Sequence, residues 1–325
     1  MSGATQKPKI LVARSIFPDI LERLQEVAEV QSNQSDQIWD SEALRQALVD
    51  KDAAIISGSE AIGATHLKTA PNLKIISNIA VGYNNLDLTA LKVAHVLATN
   101  TPDVLTDTTA DFGFALLMAT ARRVTEAEHW LRAGHWKKFS IFDTPLAMDI
   151  HHSNLGIMGM GRIGQAIAKR AAGFSMNVMY HNRSRLSADL EEACGAHYVD
   201  RETLLKEADH IILVMPYTPD NHHLFGEKEL RLMKPTATLI NIARGGIVDE
   251  LALAKALQEK RIFAAGMDVF EGEPSVRPEL LALSNVVLSP HIASATAKTR
   301  RAMIELAVEN CLAGLAGQTP PNLIA

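Results

Sequence analysis

Asn154–Gly164 reads NLGIMGMGRIG, a short apolar run that breaks into Gly159, Gly161 and Gly164 at G-x-G-x-x-G spacing. The first glycine permits a tight turn, the second lets an anion approach the backbone, and the third lets the next helix pack close to the strand. Amide groups at Arg162 and Ile163 open that helix and face the anion, and Arg162 adds a positive side chain. Such a pattern alone is a common turn. Here an apolar strand precedes it, a helix bearing Ile167 and Ala168 follows, and another strand comes next. In that setting Gly159, Met160, Gly161, Arg162, Ile163 and Gly164 read as the pyrophosphate turn of a dinucleotide site.

The next strand decides which dinucleotide. An NAD site usually places an acid there, about 20 residues on, for the ribose hydroxyls. This chain has Asn182 instead, followed by Arg183, Ser184 and Arg185. Losing the acid removes repulsion toward a 2′-phosphate, which two guanidinium groups and a hydroxyl can bind. NADPH is therefore expected, with NADH the weaker alternative.

Outward from the turn, short apolar runs alternate with helical patterns, which predicts parallel α/β architecture. Strands are expected at 155–158, 178–181, 210–215, 238–242, 264–269 and 286–289, the makings of a doubly wound sheet. An earlier block offers strands at 9–13, 53–57, 74–79 and 96–99, with amphipathic stretches at 20–30 and 41–48. Residues 106–134 read as one long helix, capped by Thr106 or Asp107 and ended by Gly134. Its stretch Ala110–Ala121 is apolar nearly all round, so it is expected between domains or between subunits. A last helix, about residues 294–315, could return to the first block.

Arg244 in NIARGG, Asp268 and Glu273 in MDVFEGEP, and His291 in LSPHIASAT each follow a predicted strand end, where open α/β sheets bind ligands. An arginine, an acid and a histidine suit hydride transfer to a 2-keto acid. Arg244 would grip the carboxylate as a fork and polarise the keto oxygen. His291 would protonate that oxygen, with Glu273 orienting the ring and favouring its charged form.

GMGRIG, NIARGGIVDE, GMDVFEGEP and SPHIASAT together resemble the D-isomer-specific 2-hydroxyacid dehydrogenases, over nearly all 325 residues. The motifs are similar to those of bacterial glyoxylate/hydroxypyruvate and 2-ketogluconate reductases. The resemblance implies an α/β fold in which a doubly wound Rossmann-type cofactor domain, residues 106–291, is inserted into a smaller flavodoxin-like substrate domain, residues 1–105 plus 292–325. It implies a homodimer, and it gives Arg244, Glu273 and His291 the family's arginine, glutamate and histidine roles. Asp268 takes the place of the acid at the nicotinamide carboxamide, with Ile242 and Arg244 also counted among the cofactor contacts. Val81 and Gly82 match the loop whose N–H groups bind the substrate carboxylate. Three departures are visible: Asn84 where an aspartate is frequent, Ala293 where a glycine is common, and no tryptophan in Lys137–Met148. The last makes a sugar acid credible beside a two- or three-carbon substrate. Lys137, Lys138, His151 and His152 could meet a phosphate or polyol tail, although a solvated surface is the plainer reading.

Composition narrows the alternatives. A net charge of −5 without long single-sign runs argues against nucleic-acid or membrane-surface partners. Two cysteines, Cys194 and Cys311, make no disulfide framework, and no cluster stands at metal-ligand spacing, so no metal is expected. MSGATQKPKI has no signal-peptide stretch, and a cytoplasmic setting is expected. The competing readings are an NAD-linked dehydrogenase of another substrate and a binding protein that only senses the cofactor.

Overall fold

The computed structural model describes residues 7–142 and 146–325. The chain divides into two compact units, Met1–Leu105 with Thr296–Ala325, and Thr106–Ala295. Among the described residues no helix is long and apolar enough to cross a membrane.

The smaller unit holds β1 (Lys9–Val12), β2 (Glu29–Ser32), β3 (Ala53–Ser57), β4 (Ile75–Ile79) and β5 (Leu97–Thr99). They form one parallel sheet in the order β2-β1-β3-β4-β5. This is the flavodoxin-like order. Successive strand residues point to opposite faces, and both faces are buried, so β3 reads as the apolar run AAIIS, while β4, IISNI, buries Ser77 and Asn78 as well. Ile10, Val12, Ile55 and Ile75 pack on one side with Ile20, Leu24, Ile304 and Cys311. Leu11, Ala54, Ile56 and Ile76 pack on the other with Leu44, Leu48 and Leu91. The C-terminal helix Ala297–Leu315, capped by Thr296, lies so close to β4 that a Cβ on Gly314 would stand 2.4 Å from Ile75 Cδ1. Beyond it the chain edges β5, where the Ala98 N–H donates to Ala325 O at 2.9 Å and Ile324 N–H donates to Ala98 O at 2.8 Å.

The larger unit holds β6 (Asn154–Met158), β7 (Asn177–His181), β8 (Ala196–Tyr198), β9 (His210–Leu213), β10 (Thr238–Asn241), β11 (Ala264–Met267) and β12 (Val286–Leu288). Their order is β12-β11-β10-β9-β6-β7-β8, and every pairing is parallel. The order reverses at β6, flanked by β7 and β9, and such a switch point is where doubly wound sheets bind ligands.

The structure corrects three expectations. β2 and β8 are additional strands, so residues 29–30 belong to a strand and not to the preceding helix, which spans Pro18–Val27. The long helix at 106–134 is two, Thr106–Ala121 and Val124–Arg132, because Arg123 takes a left-handed φ of 55° that a helix cannot continue through. The apolar faces of the first are used within its own unit: Ala110, Phe114, Leu116 and Leu117 are buried in the core beside Ile157, Ile212 and Ile240. A Cβ on Gly113 would fall 2.7 Å from Ile242 Cδ1, so a larger residue would have to displace that side chain.

Candidate active site

The chain leaves β6 through Gly159, whose φ of +104° is a glycine conformation. A Cβ there would lie 2.7 Å from the Met215 backbone nitrogen, and one on Gly164 would lie 2.3 Å from Gly159 O. Around Gly161, the N-cap of helix Arg162–Ala172, a Cβ would meet nothing within 4 Å. The turn is thus closed on its protein side and open at the helix start, where Arg162 and Ile163 bring their amides. That arrangement fits a pyrophosphate. Met160 stands within the turn with its side chain turned away from the open helix start. Its side chain is buried in the core, and its N–H donates to Asn182 Oδ1 at 2.7 Å.

Asn182, just past β7, therefore braces the glycine turn. Arg183 and Ser184 after it are exposed, and Arg183 makes no hydrogen bond or ion pair among the described residues. Arg185 is committed elsewhere. Its guanidinium forks onto Glu191 with two bonds of 2.8 Å, and Tyr180 Oη donates to the same carboxylate at 2.6 Å. Those bonds hold the Glu191 carboxyl down at about 2. The two arginines expected to act together are thus separated into one paired and one presented.

Arg244, Glu273 and His291 follow β10, β11 and β12. His291 Nδ1 meets Glu273 Oε2 at 2.8 Å, while Glu273 Oε1 accepts the Phe270 N–H at 2.8 Å. Partial burial would raise the Glu273 carboxyl, but His291, the Phe270 N–H and the nearby Arg244 charge hold it below its ordinary value. Arg244 is half-buried, and that burial lowers its pKa, with Glu273 opposing the shift. Its Nη1 donates to Ala243 O at 2.7 Å. The fully buried Asn241 shapes this loop from beneath, accepting the Ala243 N–H at 3.0 Å and donating to Arg244 O at 3.2 Å. Gly245 is required, since a Cβ would stand 1.9 Å from Phe270 O.

Asp268 is tied to the loop that carries His291. It has no exposed surface, and both oxygens are taken by the segment carrying His291: Ser289 Oγ at 2.7 Å, the Ile292 N–H at 2.9 Å and the Ala293 N–H at 2.9 Å. Burial raises its pKa, which those donors partly offset. It anchors the loop on which His291, at a left-handed φ of 52°, turns its ring outward. Ile242, also expected at the cofactor, puts its side chain into the core against Gly113. The supports Asn241 and Ser289 were missed in the sequence, although both stand inside the quoted motifs; the signal was a polar residue closing an apolar strand.

Val81 and Gly82 belong to the smaller unit, in the loop after β4. Asn100 Nδ2 donates to Val81 O at 2.8 Å, and the buried Asn78 donates to Gly82 O at 3.0 Å. With both carbonyls held inward, the two N–H groups make no hydrogen bond among the described residues. Lys137, Lys138, His151 and His152 are exposed. Part of the segment 137–148, at 143–145, lies outside the described residues.

Residues 114–293 match the model of the D-isomer specific 2-hydroxyacid dehydrogenase NAD binding domain. The glyoxylate reductase of Thermococcus onnurineus is 46% identical over 321 residues, covering 98% of this chain and 96% of that protein. The NADPH-dependent glyoxylate/hydroxypyruvate reductase of Sinorhizobium meliloti, solved with NADP and malonate, superposes with a TM-score of 0.86 at 34% identity, over 98% of this chain and 97% of that one. A glyoxylate reductase from Paecilomyes thermophila gives 0.88 at 29% identity, over 98% and 99%. The chain belongs to the D-isomer specific 2-hydroxyacid dehydrogenase family and is an NAD(P)-dependent oxidoreductase.

Proposed function

We propose that this chain reduces a small 2-keto acid, glyoxylate or hydroxypyruvate, to the D-2-hydroxy acid with NADPH. The observation that carries the reading is the 2.8 Å contact between His291 Nδ1 and Glu273, which leaves Nε2 as the ring's outward proton donor. When bound, the reduced nicotinamide supplies hydride to the keto carbon. Arg244 holds the carboxylate and draws charge toward the keto oxygen. His291 delivers a proton to that oxygen, so the carbonyl becomes a hydroxyl and no free alkoxide leaves the site. Glu273 keeps the ring oriented and balances its charge. The Val81–Gly82 loop is proposed as a carboxylate-binding loop, on the strength of its outward amides.

The cofactor turn is held by Gly159, Gly161 and Gly164 with the amides of Arg162 and Ile163. Arg183 is proposed as the group that meets the 2′-phosphate, because Arg185 is already forked onto Glu191. The protein is proposed to act as a homodimer.

Steady-state kinetics with glyoxylate, hydroxypyruvate, 2-ketogluconate and its 6-phosphate, each with NADPH and NADH, test the reading. The short keto acids with NADPH are expected to give the highest kcat/KM. Arg183→Ala should lower kcat/KM for NADPH at least tenfold and leave NADH nearly unchanged, while Arg185→Ala should do less. Equal or better turnover with NADH in the parent enzyme would overturn the cofactor assignment.

A further inference from the structure

His222, His223 and Glu271 stand together beside the loop that follows Arg244, where a Cβ on Gly246 would lie 3.2 Å from His222 Nδ1, and nothing in the proposed reaction uses them. They offer one ligand atom each, all within 4.8 Å of one another. His223 Nε2 is 3.0 Å from Glu271 Oε2, while His222 Nε2 is 3.9 Å from Glu271 Oε1, too far for a hydrogen bond. The two rings are stacked, with centroids 3.9 Å apart and planes 22° from parallel. Neighbouring side chains do not ordinarily lie so. His223 sits at φ 53°, and its N–H donates to Gly246 O at 2.7 Å, which fixes the turn that brings both rings to one side. A non-glycine residue in that conformation is uncommon.

We propose that His222, His223 and Glu271 form a binding site for a divalent transition metal of the zinc type. Two imidazoles and a carboxylate are the donor set such borderline ions prefer, with water completing the coordination. Metal–ligand bonds of about 2.0–2.2 Å put tetrahedral ligand atoms roughly 3.4 Å apart, and the three ligand atoms here stand within 4.8 Å of one another. A cation would replace the single hydrogen bond of the His223–Glu271 pair with bonds to all three groups.

The surroundings supply the supports that metal ligands need. His222 Nδ1 is 3.2 Å from Tyr217 Oη, so the ring can give its Nδ1 proton to that oxygen and turn the Nε2 lone pair toward the metal. The backbone under Glu271 is fixed as well, its N–H donating to the buried Glu250 at 2.6 Å. The site would tie the 222–223 turn to the segment Phe270–Glu273. A search for clustered spacing passes over it, because the third ligand lies far along the chain.

The test uses full-length protein without an affinity tag, freed of metal with a chelator. Titration calorimetry with zinc chloride should show one ion bound per chain and a raised thermal midpoint. Cobalt(II) in its place should give the visible absorption of an ion bound to imidazole. His222→Asn and Glu271→Gln should each weaken zinc at least tenfold while keeping the parent's far-ultraviolet circular dichroism. His151→Asn, at the exposed His151–His152 pair, should bind as the parent does. Absence of saturable zinc binding in the parent, or its loss in His151→Asn and not in His222→Asn, would overturn the proposal.

Discussion

His291 and Arg244 differ in what each gives the reaction, and substitution should separate them. His291→Asn removes the proton donor, and kcat should fall by about 10² to 10⁴-fold with little change in cofactor affinity. Arg244→Lys keeps a charge but loses the planar two-point grip, so KM for the keto acid should rise and kcat fall, again with NADPH affinity nearly intact. Steady-state kinetics with cofactor titration read both. Glu273 carries a pH signature. Its folded value is depressed, so its contribution to stability is complete above the ordinary glutamate value of 4.5 and is lost as pH falls through the lowered one. The urea midpoints of the parent and Glu273→Gln should therefore differ by a steady amount above that pH and converge below it. The three chemical residues were legible because arginine, acid and histidine each follow a strand end. The partners of Asp268 and Arg185 were not. A carboxylate's donors come from backbone N–H groups 24 and 25 residues on, and an arginine's partner from a helix six residues on, where only the folded chain chooses between solvent and pairing.

The turn after β6 is where backbone conformation decides the outcome. Gly159→Ala must place a Cβ at φ +104° and against the Met215 backbone, so it should cost about 1–3 kcal/mol from conformation alone. A lowered thermal midpoint with weakened NADPH binding is the expected result, and Gly161→Ala, with open space at its Cβ, should keep the midpoint of the parent. Central strands could be read from the sequence since burial on both faces demands unbroken apolar runs. Two edge strands, β2 and β8, could not. β2 reads EVQS and alternates between exposed and half-buried, and β8 reads AHY, so neither carries the apolar run that marked the others. The break at Arg123 is likewise invisible to periodicity, because arginine is a good helix former. There the fork onto Glu126, with bonds of 2.6 and 2.7 Å, holds the left-handed residue in place.

For the whole molecule, the helix Thr106–Ala121 offers the proposed dimer little apolar surface, since Ala110, Phe114, Leu116 and Leu117 are buried in its own unit. The dimer's support is the stretch after the second helix, where Trp136, Phe139, Ile141 and Phe142 are 56, 86, 75 and 78% exposed. Several large apolar side chains exposed within seven residues suit an interaction surface. Light scattering should give twice the mass of one chain, and Phe139→Asp with Phe142→Asp should return it to a single chain with its secondary structure intact. The split composition of the smaller unit has a further bearing, on the order of events at the ribosome. Its sheet is made early, but the helix that covers Ile75 and the segment that edges β5 come from residues 296–325, which emerge only after the inserted unit. The inserted unit is synthesised whole before them and can complete first, while five parallel strands wait with one apolar face covered only in part, by the helix Pro18–Val27. Nascent chains halted before residue 296 would thus carry a finished nucleotide-binding unit and an adhesive, half-built neighbour, the intermediate that chaperones exist to shield.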